Sequence, residues 1–223
     1  MKKVEAAKRI FIESAVRVVA REGLEKTTTK AIAAAAGLNE AYIYRCFESK
    51  EELLRTAFHL EDVNFAYFLR KKLSLMHDEA LPWEERAFRL WRASWRFALE
   101  KQEDCCFYLQ YYYSAGCRKY AYEEHLRCFH ELIAHTKQAF KPGTNVDILV
   151  HQIFDTMLSF AARVMSGEIE DCEDTTRMTF EQVYSFVVPH VRGDWIEKTD
   201  GETNVRELME MKHDGGYGYL PNH

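Results

Sequence analysis

Residues 23–53 read GLEKTTTKAIAAAAGLNEAYIYRCFESKEEL. The Gly-Leu pair at the start is a typical helix end, because glycine adopts the left-handed conformation that closes a last turn. Thr27 or Thr28 can then cap a second helix, whose run of alanines lets another helix cross closely over it. Gly37 ends that helix, and Asn39 can cap a third one almost at once. Two helices joined by a short glycine-containing turn form a helix-turn-helix pattern.

Helical periodicity continues on both sides of this stretch. Upstream, apolar residues recur at three- and four-residue steps between Ala7 and Val19. Downstream, Ser49 and Glu52 form a capping box in which each side chain accepts from the other's amide, and it opens a helix towards Met76. Further helices are predicted at about 82–103, 104–114, 118–140, 146–166 and 174–192. The predicted fold class is therefore all-α.

Charge is distributed unevenly along the chain. Residues 1–50 hold ten Lys or Arg against six Asp or Glu, whereas the other 173 residues hold 20 against 29. A basic N-terminal segment followed by an acidic remainder is expected where the N-terminal segment binds the phosphate backbone of a nucleic acid. Runs of charge, however, more often mark a solvated face. We predict an N-terminal three-helix DNA-binding domain at 1–50, a larger helical domain at 51–192 and a polar, partly ordered tail at 193–223.

The composition indicates where the protein is located and which chemical roles its cysteines and histidines can have. No segment reaches the roughly 18–20 uninterrupted apolar residues of a membrane span, and the charged N-terminus is unlike a signal peptide, so a cytoplasmic protein without a membrane partner is expected. The six cysteines lack CxxC spacing and should be reduced thiols. Neighbouring Cys105 and Cys106 could form a thiol sensor, but buried, inert cysteines are the commoner case. The histidines around Cys128 lack a recognised metal spacing, so neither a metal nor a cofactor is predicted.

The motifs within residues 23–53 closely resemble those of the tetracycline-repressor (TetR) family. With the first helix, the resemblance covers about 50 residues, under a quarter of the chain. It implies a DNA-binding regulator with a larger helical domain that holds a ligand cavity and forms a dimer. The shared elements are a threonine before Ile32-Ala33, the turn Ala36-Gly37-Leu38, the pair Ile43-Tyr44, Phe47, and Ser49-Lys50-Glu51-Glu52-Leu53.

The resemblance also implies roles for individual residues. The short helix that follows Asn39 should enter the major groove. In the family, the equivalents of Thr29, Tyr44 and Lys50 contact phosphates, while neighbouring positions often touch bases. Tyr42 and Tyr44 could instead pack on the next helix. The predicted DNA-binding residues are Thr28, Thr29, Lys30, Asn39, Glu40, Ala41, Tyr42, Tyr44, Arg45 and Lys50.

Two positions depart from the family pattern. Glu40 replaces a residue that is commonly basic or neutral, and it would either accept a hydrogen bond from cytosine N4 or repel phosphate. Cys46 replaces a frequent histidine, so one contact to DNA is expected to be missing.

Aromatic residues are concentrated between positions 83 and 129, where 13 of the chain's 30 lie. A stripe of this kind is more often core than pocket, but the polar atoms of Tyr and Trp can also orient a ligand in an apolar cavity. Because the resemblance implies a ligand cavity, we predict that these side chains border it. The predicted ligand-binding residues are Trp91, Trp95, Tyr108, Tyr112, His151 and Phe154.

The helix at 146–166 carries an apolar arc too broad for a single core. We therefore expect it to pack against a second subunit together with the helix at 174–192, a two-helix contribution that resembles the family's dimer interface. His151 and Asp155, one turn apart, could be polar groups of a pocket, but a role in solvent or interface ion pairing is the commoner one. The predicted interface residues are Phe154, Met157, Val187 and Val191.

These expectations converge on a ligand-responsive transcription regulator. The predicted partners are a palindromic DNA operator, a second copy of the chain and a small hydrophobic or aromatic effector that releases a repressor from DNA. A chromosome-organising DNA-binding protein without a ligand is the alternative. An enzyme is not predicted, because no catalytic constellation stands out.

Overall fold

The computed structural model describes residues 2–78 and 80–197. The prediction of an all-α fold is confirmed. Four 3-10 turns (Glu40–Tyr42, Leu73–His77, Lys137–Ala139 and Val188–His190) and a π-helical turn (Cys117–Ala121) interrupt or extend the helices. The helices are α1 (Lys2–Glu22), α2 (Thr29–Ala36), α3 (Ile43–Cys46), α4 (Lys50–Lys72), α5 (Trp83–Glu100), α6 (Gln102–Tyr112), α7 (Tyr122–Thr136), α8 (Val146–Met165), α9 (Glu173–Val187) and α10 (Gly193–Glu197).

The first three helices pack around a small apolar core. Phe11, Ile32 and Ile43, one from each helix, are each 0% exposed. The Thr28 hydroxyl accepts from the Ala31 amide at 3.1 Å and so caps α2 as predicted. Gly37 closes the same helix with a φ of 64°, a left-handed conformation that glycine adopts without steric cost. The helix-turn-helix is therefore built largely from local backbone signals.

The third helix, which the sequence predicts over residues 40–47, is shorter in the structure. A 3-10 turn over Glu40–Tyr42 leads into α3, and Phe47 has already left the helix with extended backbone angles. Phe47 turns back into the core, where it is 4% exposed. One half of the predicted capping box is present, since the Ser49 hydroxyl accepts from the Glu52 amide at 3.1 Å. The other half is shifted by one residue, because the Glu52 carboxylate accepts from the amide of Glu48 instead of that of Ser49.

Helix α4 joins the N-terminal helices to the rest of the molecule. It packs against α1 and also against α6 and α7. Leu53, Leu54 and Ala57 are buried near its start, and Phe58 and Phe65 are buried further along. A 23-residue helix with packed faces along its length can transmit a displacement from one end to the other. The division into domains at residues 50 and 51 remains a prediction.

The larger helical body is formed by α4 to α9. Helix α8 packs against α5, α6, α7 and α9, and α9 packs against α5. By length and composition α8 could also cross a bilayer, a property that it shares with core helices of water-soluble proteins. The tail predicted from residue 193 begins instead with the short helix α10, since Gly193–Glu197 is helical. The remainder of that tail, 198–223, lies outside the described residues.

Candidate functional site

The predicted DNA-binding residues lie on α2, the turn before α3, α3 itself and the first residue of α4. Tyr44 is 58% exposed. Tyr42 is half-buried against the core, and the Arg45 guanidinium lies 5.1 Å from the centre of its ring. The alternative of packing therefore applies to Tyr42, while Tyr44 is open to solvent. Of the other predicted residues, Thr28, Lys30, Asn39, Ala41 and Arg45 are exposed, and Thr29, Glu40 and Lys50 are half-buried.

Glu40 is held by a neighbour within the protein. The Thr29 hydroxyl donates to its carboxylate at 2.5 Å, which ties the start of α2 to the turn before α3. The carboxylate thus orients the helix that carries Tyr44 and Arg45, a role that the sequence reading did not consider. Asn39 caps the same turn, because its side-chain oxygen accepts from the Ala41 amide at 2.9 Å.

Lys50 is anchored as well. Its ammonium donates to the carbonyl of Thr27, the second residue before α2, at 2.9 Å. An ammonium has three N–H donors, so this bond fixes the side chain and still leaves donors for a phosphate. Cys46, in contrast, is 7% exposed, and its sulfur lies 4.0 Å from the carbonyl oxygen of Val4 on α1. Its position agrees with the expected loss of one contact to DNA.

A small cavity of about 40 Å³ lies in the helical body between α4, α6, α7 and α8. Of the predicted ligand-binding residues, the structure brings Tyr112, His151 and Phe154 together there, and it adds Asp155 and His125. Tyr108 lies next to it, with its ring centre 5.7 Å from that of Phe154. The complete lining is Leu69, Tyr112, His125, Leu126, Phe129, Ile133, Val150, His151, Phe154 and Asp155.

Trp91 and Trp95 are not part of this cavity wall. They are 5% and 0% exposed, and their ring centres lie 6.3 Å apart on α5. Neither indole N–H has a hydrogen-bond partner within the described residues. Both side chains therefore pack in the core of the body. A core position is the commoner one for an aromatic stripe of this kind.

A buried carboxylate lies directly behind the cavity. Asp62 is 1% exposed, and its Oδ1 accepts from the Tyr108 hydroxyl and from Nδ1 of His125, each at 2.9 Å. Its other oxygen, Oδ2, has no hydrogen-bond partner in the part of the chain that the structure describes. The sequence reading missed Asp62, although an aspartate between Phe58 and Phe65 on the apolar face of α4 is an unusual residue for a core.

Helix α6 connects this region to the N-terminal helices. The Gln110 side chain bridges the end of α1, because its oxygen accepts from the Leu24 amide at 2.9 Å and its nitrogen donates to the Val19 carbonyl at 3.2 Å. Tyr111 donates to Glu51 near the start of α4 at 2.5 Å, and burial together with this bond raises the pKa of the Tyr111 hydroxyl. One turn of α6 therefore contacts both α1 and α4.

The same helix begins with two cysteines that are not suited to redox sensing. Cys105 is 1% exposed, and burial raises the pKa of its thiol far above the usual range. Burial also raises the pKa of Cys106, whose sulfur lies 3.8 Å from that of Met165. Reactive cysteines need a thiolate, which both environments disfavour. No cluster of potential metal ligands occurs within residues 2–78 and 80–197.

The predicted interface residues fall into two groups. Met157 and Val191 are 4% and 1% exposed within the single chain, so they belong to its own core. Phe154 and Val187 are half-buried, and Phe154 also contacts the rings of Phe65, Tyr108 and Phe129. The apolar side chains left open on these two helices are Ile148 on α8, 62% exposed, and Met178 on α9, 60% exposed.

Residues 6–57 match the family model described as bacterial regulatory proteins, tetR family. The N-terminal region of the chain is therefore similar to the DNA-binding region of TetR-family regulators. The match spans α1, α2, α3 and the start of α4, the part of the structure that carries Tyr44 and Lys50. No curated protein sequence matches the chain.

Solved structures of TetR-family regulators have the same fold as this chain over most of its length. A transcription regulator from Marinobacter aquaeolei VT8 is 22% identical, with a TM-score of 0.66 over 83% of this chain and 97% of its own. A regulator from Shewanella sp. PV-4 is 20% identical, with a TM-score of 0.64 over 83% and 98%. FadR from Bacillus subtilis, solved in complex with stearoyl-CoA, is 19% identical, with a TM-score of 0.59 over 79% and 97%.

Proposed function

We propose that this protein is a homodimeric transcription regulator of the TetR family, a repressor that an apolar effector releases from a palindromic operator. The proposal includes a cytoplasmic location and no catalytic activity. The observation that carries it is the position of α6, which borders the cavity through Tyr112, contacts the end of α1 through Gln110 and contacts the start of α4 through Tyr111. A binding event in the body can therefore reach the DNA-binding helices through a single rigid element.

The N-terminal helices supply the DNA contacts in this proposal. Tyr44 and Arg45 project from α3 into solvent, and Lys30 is exposed on α2. The first turn of α2 presents backbone amides that favour a phosphate near Thr28 and Thr29. Because α3 is short, its exposed residues are also the candidates for contacts with base edges in the major groove.

Dimerisation is assigned to α8 and α9. Ile148 and Met178 are large apolar side chains that the single chain leaves open to solvent. An open groove of about 890 Å³ runs along α8 beside α6, and its wall combines Phe160 and Leu109 with Arg163 and Glu168. Apolar centres with charged edges are typical of subunit interfaces. The half-buried Phe154 and Val187 remain candidate interface residues, whereas Met157 and Val191 do not.

The regulatory step is a shift between two arrangements of the dimer. The effector binds the arrangement in which the two recognition helices cannot reach successive major grooves, and it lowers operator affinity by the free energy of that preference. FadR, solved with stearoyl-CoA, supports an apolar ligand in a body of this fold. In this chain the cavity wall offers aliphatic and aromatic side chains together with a few polar groups, a common composition for a small-molecule site.

Selection of binding sites from random DNA duplexes tests the function. We expect enrichment of an inverted repeat whose half-sites are about one helical turn apart, since a two-fold dimer presents two α3 helices to successive grooves. Binding without enrichment of any sequence would contradict the proposal and favour a chromosome-organising role. A variant with Tyr44 and Arg45 both changed to alanine is the control and should enrich nothing.

A further inference from the structure

The wall of the small cavity is rich in hydrogen-bond acceptors. Nδ1 of His151 lies 2.6 Å from the carbonyl oxygen of Asp147, and a carbonyl can only accept, so Nδ1 carries the proton. Nδ1 of His125 donates in the same way to the carboxylate of Asp62. When such a ring is neutral, the remaining nitrogen, Nε2, is an acceptor. The two imidazole rings lie 6.3 Å apart, centre to centre, and both line the cavity.

Among the residues that line the cavity, the fixed charge is negative. Asp155 belongs to the wall, Asp62 lies behind His125, and the lining residues include neither Lys nor Arg. Among residues 2–78 and 80–197, Oδ2 of Asp62 has no hydrogen-bond partner, although the residue is 1% exposed. A buried polar atom without a hydrogen bond is costly and is rare in native proteins, so its presence needs an explanation.

Aromatic rings complete the wall. Tyr112 packs edge-on against His125 with ring centres 5.2 Å apart, and Phe129 lies 5.1 Å from the same imidazole. Aromatic faces attract cations, and the attraction grows when the site excludes water. Leu69, Ile133 and Val150 add aliphatic surface on the other sides.

We propose that the effector carries a cationic, hydrogen-bond-donating head group, such as a primary ammonium, on an apolar body. The head group binds among His125, His151 and Asp155, with Asp62 supplying negative charge from behind. This proposal rests on the proposed function, because it names the chemical class of that effector. The cavity of about 40 Å³ holds little more than such a head group, and the apolar body extends past Leu126, which is 40% exposed.

An anionic ligand fits these residues poorly. A carboxylate or phosphate would meet Asp155 and the charge of Asp62 without a lysine or arginine in the wall to balance it. A neutral imidazole with its proton on Nδ1 would also offer it an acceptor nitrogen instead of a donor. The ligand class of this chain is therefore expected to differ from that of FadR, whose structure holds stearoyl-CoA.

Isothermal titration calorimetry of the full-length protein with octylammonium and with octanoate tests the charge preference. The two probes share a chain length and differ in the sign of the head group. We expect octylammonium to bind at least ~10-fold more tightly, which corresponds to one charge-assisted hydrogen bond. Preference for octanoate, equal affinity for both probes or the absence of saturable binding of octylammonium would overturn the proposal. Tight binding of stearoyl-CoA in competition with octylammonium would overturn it too.

Two aspartate substitutions test where octylammonium binds. Asp155→Asn should weaken octylammonium about 10-fold, because it removes the carboxylate of the wall and keeps the shape. Asp174→Asn removes the same charge from an exposed position on α9, outside the cavity wall, and should leave the affinity unchanged. Equal effects of the two substitutions would overturn the site. Operator binding is measured on the same samples, so a protein that binds octylammonium but no specific DNA contradicts the proposed function alone.

Discussion

The DNA-binding helices and the effector cavity differ in how the chain builds them. At the N-terminus, Thr28 caps an amide three residues away and Asn39 an amide two residues away, and the residues proposed to touch DNA lie on the surface between. In the body, Asp62, Tyr108 and His125 meet in the core from three different helices. A surface whose helices are capped by residues close in sequence can be predicted from a short sequence motif. A cavity lined by residues distant in sequence cannot, because it depends on how the helices pack.

Replacement of a buried aromatic residue in the body should have the largest effect on stability. We expect Trp95→Ala to lower the free energy of unfolding by about 3–5 kcal/mol, because Trp95 is 0% exposed and the change leaves a void in the core. Tyr44→Ala at the exposed DNA-binding surface should change it by less than about 0.5 kcal/mol. Urea denaturation of both variants makes the comparison. A Trp95→Ala protein as stable as the wild type would place that side chain at an open site instead of the core.

The sequence predicted the two regions to different extents. The Thr28 cap, the end at Gly37 and the exposed Tyr44 followed from local rules and from the family resemblance. The reading also included Trp91 and Trp95 in the cavity, because a stripe of aromatic residues looks the same whether its neighbours enclose a void or fill it. Asp62 and His125 were not foreseen as a pair, since 63 positions separate them and only the packing of α4 against α7 brings them together.

Buried acids should make the stability of the body depend on pH. Burial, followed by the nearby carboxylate of Asp104, raises the pKa of Glu61 from 4.5 to about 7. The folded protein therefore holds a proton that the unfolded chain releases, and stability declines as the pH rises from 4.5 to about 7. Glu61→Gln should gain about 3 kcal/mol relative to the wild type between pH 4.5 and pH 8, measured by urea denaturation at both pH values. An unchanged difference between the two proteins would contradict the assignment.

Removal of the contact between the N-terminal helices and the body should have an intermediate effect on stability. Gln110→Ala leaves the Leu24 amide and the Val19 carbonyl without their partner, at a cost of about 1–3 kcal/mol in the free energy of unfolding. Hydrogen exchange of the Leu24 amide should accelerate as well. Gln152→Ala, an exposed glutamine on α8, is the matched control and should leave both quantities unchanged. If Gln110→Ala behaves like this control, α6 does not hold the N-terminal helices in the way described.

The smallest expected effect is the loss of one phosphate contact. Lys50→Ala should weaken binding to every duplex by a similar factor, about 1 kcal/mol, and should reduce the slope of log affinity against log salt by about one. Lys71→Ala, an exposed lysine near the end of α4, is the control and should alter neither value. Fluorescence anisotropy across a salt series measures both quantities. Equal slopes for wild type and Lys50→Ala would remove Lys50 from the DNA contacts.

A titration of the protein into the selected palindrome, a scrambled duplex and a single half-site tests the account most directly. Anisotropy gives the affinity, and sedimentation of the same mixtures gives the stoichiometry. We expect two protomers on each palindrome and an affinity at least ~10³-fold higher than for the scrambled duplex at physiological salt. The half-site should bind far more weakly than the palindrome, because only one recognition helix reaches its groove. One protomer per palindrome, or equal affinity for the palindrome and the scrambled duplex, would contradict a homodimeric, operator-specific regulator.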